Sequence, residues 1–108
     1  MDVLDAKRTA DMLVVRLHGE LDHCAATMLR TELEEKLKDR GIKRLHLDFA
    51  DVGFMDSSGV GFVIGRYKTM VARGGRVSAG NLHPPVDRLF HMGGLHRIVE
   101  IAEGQDDI

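Results

Sequence analysis

Apolar and polar positions follow two different periods along this chain, and these periods predict strands and helices in a regular order. Short runs rich in apolar and β-branched residues predict strands at residues 3–8, 12–17, 42–49, 76–79 and 98–101. Apolar residues that recur every three or four positions predict helices at residues 23–40, from the segment 56–59 to about residue 73, and at residues 84–92. This order of elements predicts an α/β fold, in which helices flank a small mixed sheet of four to five strands.

The links between the strands predict their directions. The short link at residues 9–11 favours an antiparallel hairpin between the first two strands. The third and fourth strands are joined through a helix, which is the arrangement of a parallel βαβ unit. The sheet is therefore expected to contain both directions, and a polar tail is expected at residues 103–107.

The first helix has recognisable start and stop signals. Asp22 precedes it and is well placed to accept hydrogen bonds from the first-turn N–H groups. Gly41 fits the position just after its predicted end. Opposite charges four positions apart predict two ion pairs on its solvent side, Glu32–Lys36 and Glu34–Lys38.

The segment LHLDFADVGFMDSSGVGFVIGRYK, residues 45–68, is where an apolar strand pattern changes into a helical one. Asp56, Ser57, Ser58 and Gly59 stand at the point of change and therefore at the start of the helix. The first turn of a helix has free backbone N–H groups and the positive end of the helix dipole, which both favour negative charge. These residues are either a structural cap, with Asp56 or Ser57 accepting from the first-turn N–H groups, or a site where phosphate is added to a serine and removed. The pattern alone leaves both interpretations open.

Glycines recur in this second helix. The spacing Gly59-x-Gly61-x-x-x-Gly65 resembles a dinucleotide fingerprint, but Ile64 stands where the third glycine belongs. The chain also lacks a second mononucleotide-binding half. We therefore predict that Gly61 and Gly65 allow the helix to approach the sheet or another helix closely.

The length and the net charge of the chain exclude several classes of protein. The 108 residues suffice for one hydrophobic core, so residues 1–108 are expected to form a single domain. The net charge of −2, with Lys and Arg spread along the chain, argues against direct nucleic-acid binding. Cys24 is the single cysteine and fits a reducing compartment. Without a signal peptide or an apolar stretch of about 18 residues, the protein is expected to be cytoplasmic, with no membrane partner.

Candidate catalytic and metal-binding groups do not form a recognisable set. Asp48, Asp51 and Asp56 lie near a strand end, as in an aspartyl-phosphate receiver, but the acidic pair that would hold Mg²⁺ is missing. The six histidines lack metal-ligand spacing, and Ser57 lacks the G-x-S-x-G setting of an esterase. We therefore expect no enzyme activity, no metal and no cofactor.

Three segments carry a resemblance to a known family. They are FMDSSGVGFVIGRYK at residues 54–68, GELDH at residues 19–23 and RLFHMGGL at residues 88–95. Together with their spacing, they resemble the bacterial anti-sigma factor antagonists, the founding group of STAS domains. The sporulation members, which counteract the anti-sigma F factor, are the most similar. The family fold is a small mixed sheet with flanking helices, which agrees with the α/β prediction.

The resemblance implies a function and a site. The family phosphoacceptor falls on Ser57, and the expected partner surface consists of Asp22, Asp56, Ser58, Gly59 and Gly61. The implied partner is an anti-sigma factor that is itself an ATP-dependent serine kinase. The unphosphorylated antagonist binds this kinase and releases the sigma factor for transcription, and a serine phosphatase restores the unmodified form. The alternatives are a scaffold subunit of a stress-signalling complex and a cytosolic domain of an anion transporter.

Overall fold

The computed structural model describes residues 3–102, so the predicted polar tail lies outside the described residues. Its five strands are β1 (Leu4–Thr9), β2 (Met12–His18), β3 (Arg44–Asp51), β4 (Arg76–Gly80) and β5 (Glu100–Ala102). Its helices are α1 (His23–Lys36), α2 (Ser57–Ala72) and α3 (Pro84–Met92), with a short 3₁₀ helix at Leu95–Arg97. None of the helices within residues 3–102 has both the length and the apolar character to cross a membrane.

The five strands form one mixed sheet in the order β1-β2-β3-β4-β5. β1 pairs with β2 antiparallel through a turn at Ala10 and Asp11, as the short link predicts. From β2 to β5 each strand runs parallel to the next, and an α-helix joins each consecutive pair, followed by the short 3₁₀ helix between β4 and β5. The α/β prediction, the hairpin and the parallel crossovers are therefore confirmed.

The apolar side chains of the central strands lie on one face of the sheet. Their alternation along each strand and the parallel register place them together, because successive side chains of a strand point to opposite faces. α3 covers the same face, since the Phe90 ring packs edge-on against Phe49 with centroids 5.4 Å apart. The strand residues that form this face are Leu13, Val15, Leu17, Leu45, Leu47, Phe49, Val77 and Ala79.

The first helix ends earlier than its sequence pattern predicts. α1 stops at Lys36 instead of residue 40, and Gly41 is not its C-terminal glycine. Beyond the end of α1, the Arg73 guanidinium donates to the carbonyl oxygens of Leu37, at 2.7 Å, and of Asp39, at 3.3 Å, and so satisfies carbonyl groups that a longer helix would have used. Leu37 remains buried although it lies outside the helix.

Two strand boundaries and both predicted ion pairs also differ from the sequence-based expectations. β3 begins at Arg44 rather than at residue 42, whose N–H donates to the Asp39 carbonyl in the preceding turn. Residues 98 and 99 do not join β5, because their N–H groups donate to the carbonyl of residue 95 in the 3₁₀ helix. Among the described residues, Glu32 and Lys36 do not pair with each other, and Lys38 pairs with Glu35 rather than with Glu34.

Candidate functional site

The start of α2 exposes a serine beside a capped helix terminus. Ser57 is the first helical residue, and its side chain lies at the surface. Asp56 is the N-cap, and its Oδ1 accepts a hydrogen bond from the Ser58 N–H at 2.8 Å. Within residues 3–102, no group forms a hydrogen bond with the Ser57 hydroxyl. The hydroxyl is therefore available to a reagent or partner that approaches from solvent.

The loop before α1 lies directly against the loop before α2. Leu21 and Met55 form a parallel bridge, and the Leu21 N–H donates to the Phe54 carbonyl at 2.9 Å. The Asp56 N–H closes the pair with a contact to the Leu21 carbonyl at 3.4 Å. Asp22 then caps α1 by accepting from its third residue, with the N–H of residue 25 at 3.0 Å from Oδ1. The two helix starts are thus held side by side at the carboxyl ends of β2 and β3.

Gly59 is the glycine that permits close packing at this site. A Cβ at position 59 would overlap Met55 and lie 3.0 Å from the Leu21 Cγ atom. A Cβ at Gly61 or Gly65 would meet nothing within 4 Å. The prediction that Gly61 and Gly65 serve close helix approach is therefore wrong. The contact belongs to the first turn of α2, where the two loops press against the helix.

Gly61 and Gly65 instead leave a groove open between α1 and α2. The groove has a volume of about 440 Å³, and Ser58 lies at its wall together with both glycines. Ser57 is not among the residues that line it. The groove also contains Arg66, which the sequence analysis did not single out. Arg66 could have been found from the sequence, because it is a charged residue at a position that the apolar spacing of α2 assigns to the buried side.

The aspartates weighed as receiver residues have structural partners. Asp48 is only 2% exposed, and its carboxylate accepts from Arg16 at 3.0 Å, from Asn81 at 2.9 Å and from the Ala50 N–H at 2.9 Å. Burial alone raises the pKa of Asp48, but these hydrogen bonds outweigh it and the pKa lies below its ordinary value. Asp48 is therefore an ionised part of the sheet rather than an open nucleophile.

Asp51 is held in a different way, by His18 across the strand ends. The His18 ring contacts Asp5 at 2.8 Å through Nε2 and Asp51 at 2.9 Å through Nδ1. The hydrogen bond to Asp5 raises the pKa of His18, burial opposes this, and Asp51 raises it further. Within residues 3–102, no cluster of three or more His, Cys, Asp or Glu side chains is arranged to hold a metal ion.

Comparison with known proteins relates these features to a family. A family model described as "STAS domain" matches residues 3–108. The anti-sigma F factor antagonist of Paenibacillus polymyxa is 39% identical over 94 residues, which cover 87% of this chain and 80% of the relative.

Two solved structures share the fold. The anti-sigma factor antagonist SpoIIAA in its unphosphorylated form superposes with a TM-score of 0.84 at 30% identity, over 96% of this chain and 90% of that chain. The Bacillus cell fate determinant SpoIIAA in the phosphorylated form superposes with a TM-score of 0.77 at 30% identity, over 96% and 93% of the two chains.

Proposed function

The chain belongs to the STAS domain family, and from this membership we propose that it is a cytoplasmic anti-sigma factor antagonist controlled by phosphorylation of Ser57. In its unphosphorylated form it binds an anti-sigma factor that is an ATP-dependent serine kinase. This binding releases the sigma factor, which then activates transcription. Phosphorylation of Ser57 ends the interaction, and a serine phosphatase restores it. The chain acts as a regulatory binding protein and as a kinase substrate, without an enzyme activity of its own.

The position of Ser57 carries the proposal. It is the exposed first residue of α2, and its hydroxyl forms no hydrogen bond within the described part of the chain. Ser58, its neighbour, is half-buried and lies at the groove wall. A kinase active site therefore reaches Ser57 more easily than Ser58. The phosphorylated form of a 30% identical relative with the same fold supports a phosphate on this domain.

The proposed partner surface combines both helix starts. Asp22 and Asp56 lie in two loops that backbone hydrogen bonds join, and Ser58, Gly59 and Gly61 follow in the first turns of α2. Gly61 is exposed one turn after Ser57, so a partner can approach the α2 backbone closely there. Gly59 is buried, so its role is to let α2 sit against the neighbouring loop.

Magnitudes favour a local electrostatic switch over a rearrangement of the domain. A phosphate adds roughly −1.5 to −2 charges near neutral pH. The helix N-terminus stabilises this charge by about 0.3–1 kcal/mol, and the neighbouring Asp56 repels it, so the two effects largely offset each other. At an interface, a dianion without a matching cation loses its hydration at a cost of several kcal/mol. A penalty near 3 kcal/mol weakens binding on the order of a hundredfold, because about 1.4 kcal/mol corresponds to a factor of ten.

A phosphorylation assay with the anti-sigma kinase tests the site. The kinase and ATP are added to the wild-type chain, to Ser57→Ala and to Ser58→Ala, and the added mass is located by peptide fragmentation. We expect one phosphate on Ser57 in the wild type and in Ser58→Ala, and none in Ser57→Ala. Phosphate on Ser58 or on Asp48 would contradict the assignment.

Binding measurements then test the switch. We expect Ser57→Ala to bind the kinase and to stay bound when ATP is present, whereas Ser57→Asp binds on the order of a hundredfold more weakly. Amide NMR spectra of the phosphorylated chain serve as the control for structure. Widespread shifts in α3, far from Ser57, would replace the local mechanism with a conformational one.

A further inference from the structure

Arg66 is a buried cation of α2 whose nitrogen atoms are poorly satisfied. Only 4% of its surface is exposed, and neither Nε nor Nη1 has a hydrogen-bond partner within residues 3–102. Its Nη2 lies 3.9 Å from a carboxylate oxygen of Glu34, which is longer than a hydrogen bond. The guanidinium carbon lies 5.1 Å from the centre of the Phe62 ring. The described part of the protein therefore compensates this charge only weakly.

A charge in this position is unfavourable for the protein unless a partner is supplied. Burying an ion costs free energy because the ion loses its hydration, and only opposite charge and hydrogen bonds within the protein offset this cost. Burial lowers the pKa of Arg66, Glu34 acts in the opposite direction, and the charge of Arg30 lowers the pKa further. Glu34 is itself 62% exposed, so much of its charge is shared with solvent. The surroundings of Arg66 therefore favour one more negative group.

The unsatisfied guanidinium borders open space. Arg66 lines the groove of about 440 Å³ between α1 and α2, where Gly61 and Gly65 have no side chains to fill it. Arg66 and Glu34 also line an adjoining depression of about 340 Å³, which Arg40 borders as well. A small group from solvent can thus enter the space beside Arg66, but Nε and Nη1 are themselves buried, so its contact with them requires side chains at the groove wall to shift.

The charges along this groove have one predominant sign, although the whole chain has a net charge of −2. Cations from α1, from the segment after it and from α2 line the groove and the adjoining depression. Glu34 is the one acidic residue among these lining residues, although Lys38 also pairs with Glu35 outside them. The charged residues that line the two depressions are Arg30, Lys38, Arg40, Arg66 and Arg73 against Glu34. The fold therefore gathers positive charge that the linear sequence shows as spread out.

We propose that the groove between α1 and α2 is a binding site for an oxyanion, a carboxylate or a phosphate, held by the guanidinium of Arg66. The planar fork of an arginine matches both groups and donates two parallel hydrogen bonds to them. Such a ligand supplies acceptors for the nitrogens that lack them and neutralises a buried charge. The oxyanion has two sources, a free inorganic anion or an acidic side chain of a bound protein. Ser57 does not line the groove, so this site is distinct from the proposed phosphoacceptor, although Ser58 and Gly61 of the proposed partner surface do line it.

The alternative is that Arg66 has a purely structural role, and this alternative predicts a different effect of replacing Glu34. In that case the Glu34 side chain turns inward and satisfies Arg66 as an internal ion pair. Replacing Glu34 with Gln would then remove the partner of Arg66 and destabilise the protein. In an oxyanion site, Glu34 competes with the ligand, so Glu34→Gln strengthens ligand binding several-fold.

NMR titrations of the intact chain test the proposal. Inorganic phosphate and acetate are added in separate experiments at constant ionic strength, and the groove amides and the Arg66 Nε–H signal are followed. We expect saturable shifts, a loss of affinity of at least tenfold in Arg66→Met, and tighter binding in Glu34→Gln. Saturation by phosphate indicates a free anion as the source, and saturation by acetate alone indicates an acidic side chain. Non-saturating shifts with both anions, or equal affinity in Arg66→Met, would overturn the proposal.

Thermal unfolding supplies a second, independent readout. Arg73 is a matched control, because its guanidinium donates to the carbonyls of Leu37 and Ile42 and therefore has a structural role. Without added anion, we expect Arg73→Met to lower the unfolding midpoint and Arg66→Met to leave it equal or higher. The anion that saturates the NMR shifts should raise the midpoint of the wild type but not of Arg66→Met. If Arg66→Met loses as much stability as Arg73→Met, Arg66 is a structural residue and the oxyanion site is refuted.

Discussion

Alanine substitutions at Gly59 and Gly61 test how α2 is packed at the candidate site. Both residues lie in α2, and alanine there gains roughly 0.5–1 kcal/mol over glycine through lower backbone entropy. The new methyl group at position 59 overlaps Met55 and comes within 3.0 Å of the Leu21 Cγ atom, whereas at position 61 it meets nothing within 4 Å. Met55 and Leu21 are both buried, which limits how far they can move aside. Overpacking of this kind costs about 1–3 kcal/mol.

The two variants form a matched pair, since the helix contribution is common to both and cancels in their difference. We expect Gly61→Ala to be more stable than the wild type and Gly59→Ala to be about 1–3 kcal/mol less stable than Gly61→Ala. Urea denaturation followed by circular dichroism measures both, with equal m-values as the control for two-state unfolding. Equal midpoints for the two variants would refute the close contact between α2 and the adjoining loop. Binding of each folded variant to the kinase then separates packing from recognition, because only Gly61 is exposed.

Two further predictions concern pH. The hydrogen bond to Asp5 raises the pKa of His18, so its stabilising effect is complete below the pKa of the unfolded chain and disappears as the pH rises through the folded pKa. Urea midpoints should therefore fall across this range in the wild type and stay level in His18→Gln; parallel curves would contradict the role of His18. The pKa of Asp48 lies below its ordinary value, because hydrogen bonds from Asn81, Ala50 and Arg16 outweigh the effect of burial. The contribution of Asp48 to the free energy of unfolding is therefore present above the pKa of the unfolded chain and is lost as the pH falls through the pKa of the folded protein. Asp48→Asn should be less stable than the wild type at neutral pH, with the difference shrinking in acid; a constant difference would refute this.

Local chemistry in the sequence was sufficient to predict most of the architecture. Strand and helix periods, the short hairpin link and the crossover helices depend on residues close together in the chain. These predictions are confirmed, except for the end of α1 and the starts of β3 and β5. The caps Asp22 and Asp56 are of the same kind, because a capping side chain reaches only two or three residues along the backbone. The place of Ser57 at the start of α2 follows from the same local signal. Its phosphorylation remains a prediction.

Contacts between residues distant in sequence determined the features that the sequence did not predict. α1 ends at Lys36 instead of residue 40, and Arg73, far away in sequence, donates to the carbonyl groups of Leu37 and Asp39 that follow this end. Likewise, Gly59 and not Gly61 permits close packing, because the neighbouring loop happens to press on that turn of α2. The groove around Arg66 exists only where α1 and α2 meet and bring their charges together. No local pattern encodes such features, since burial, crowding and electrostatic fields depend on which surfaces face each other in the folded chain.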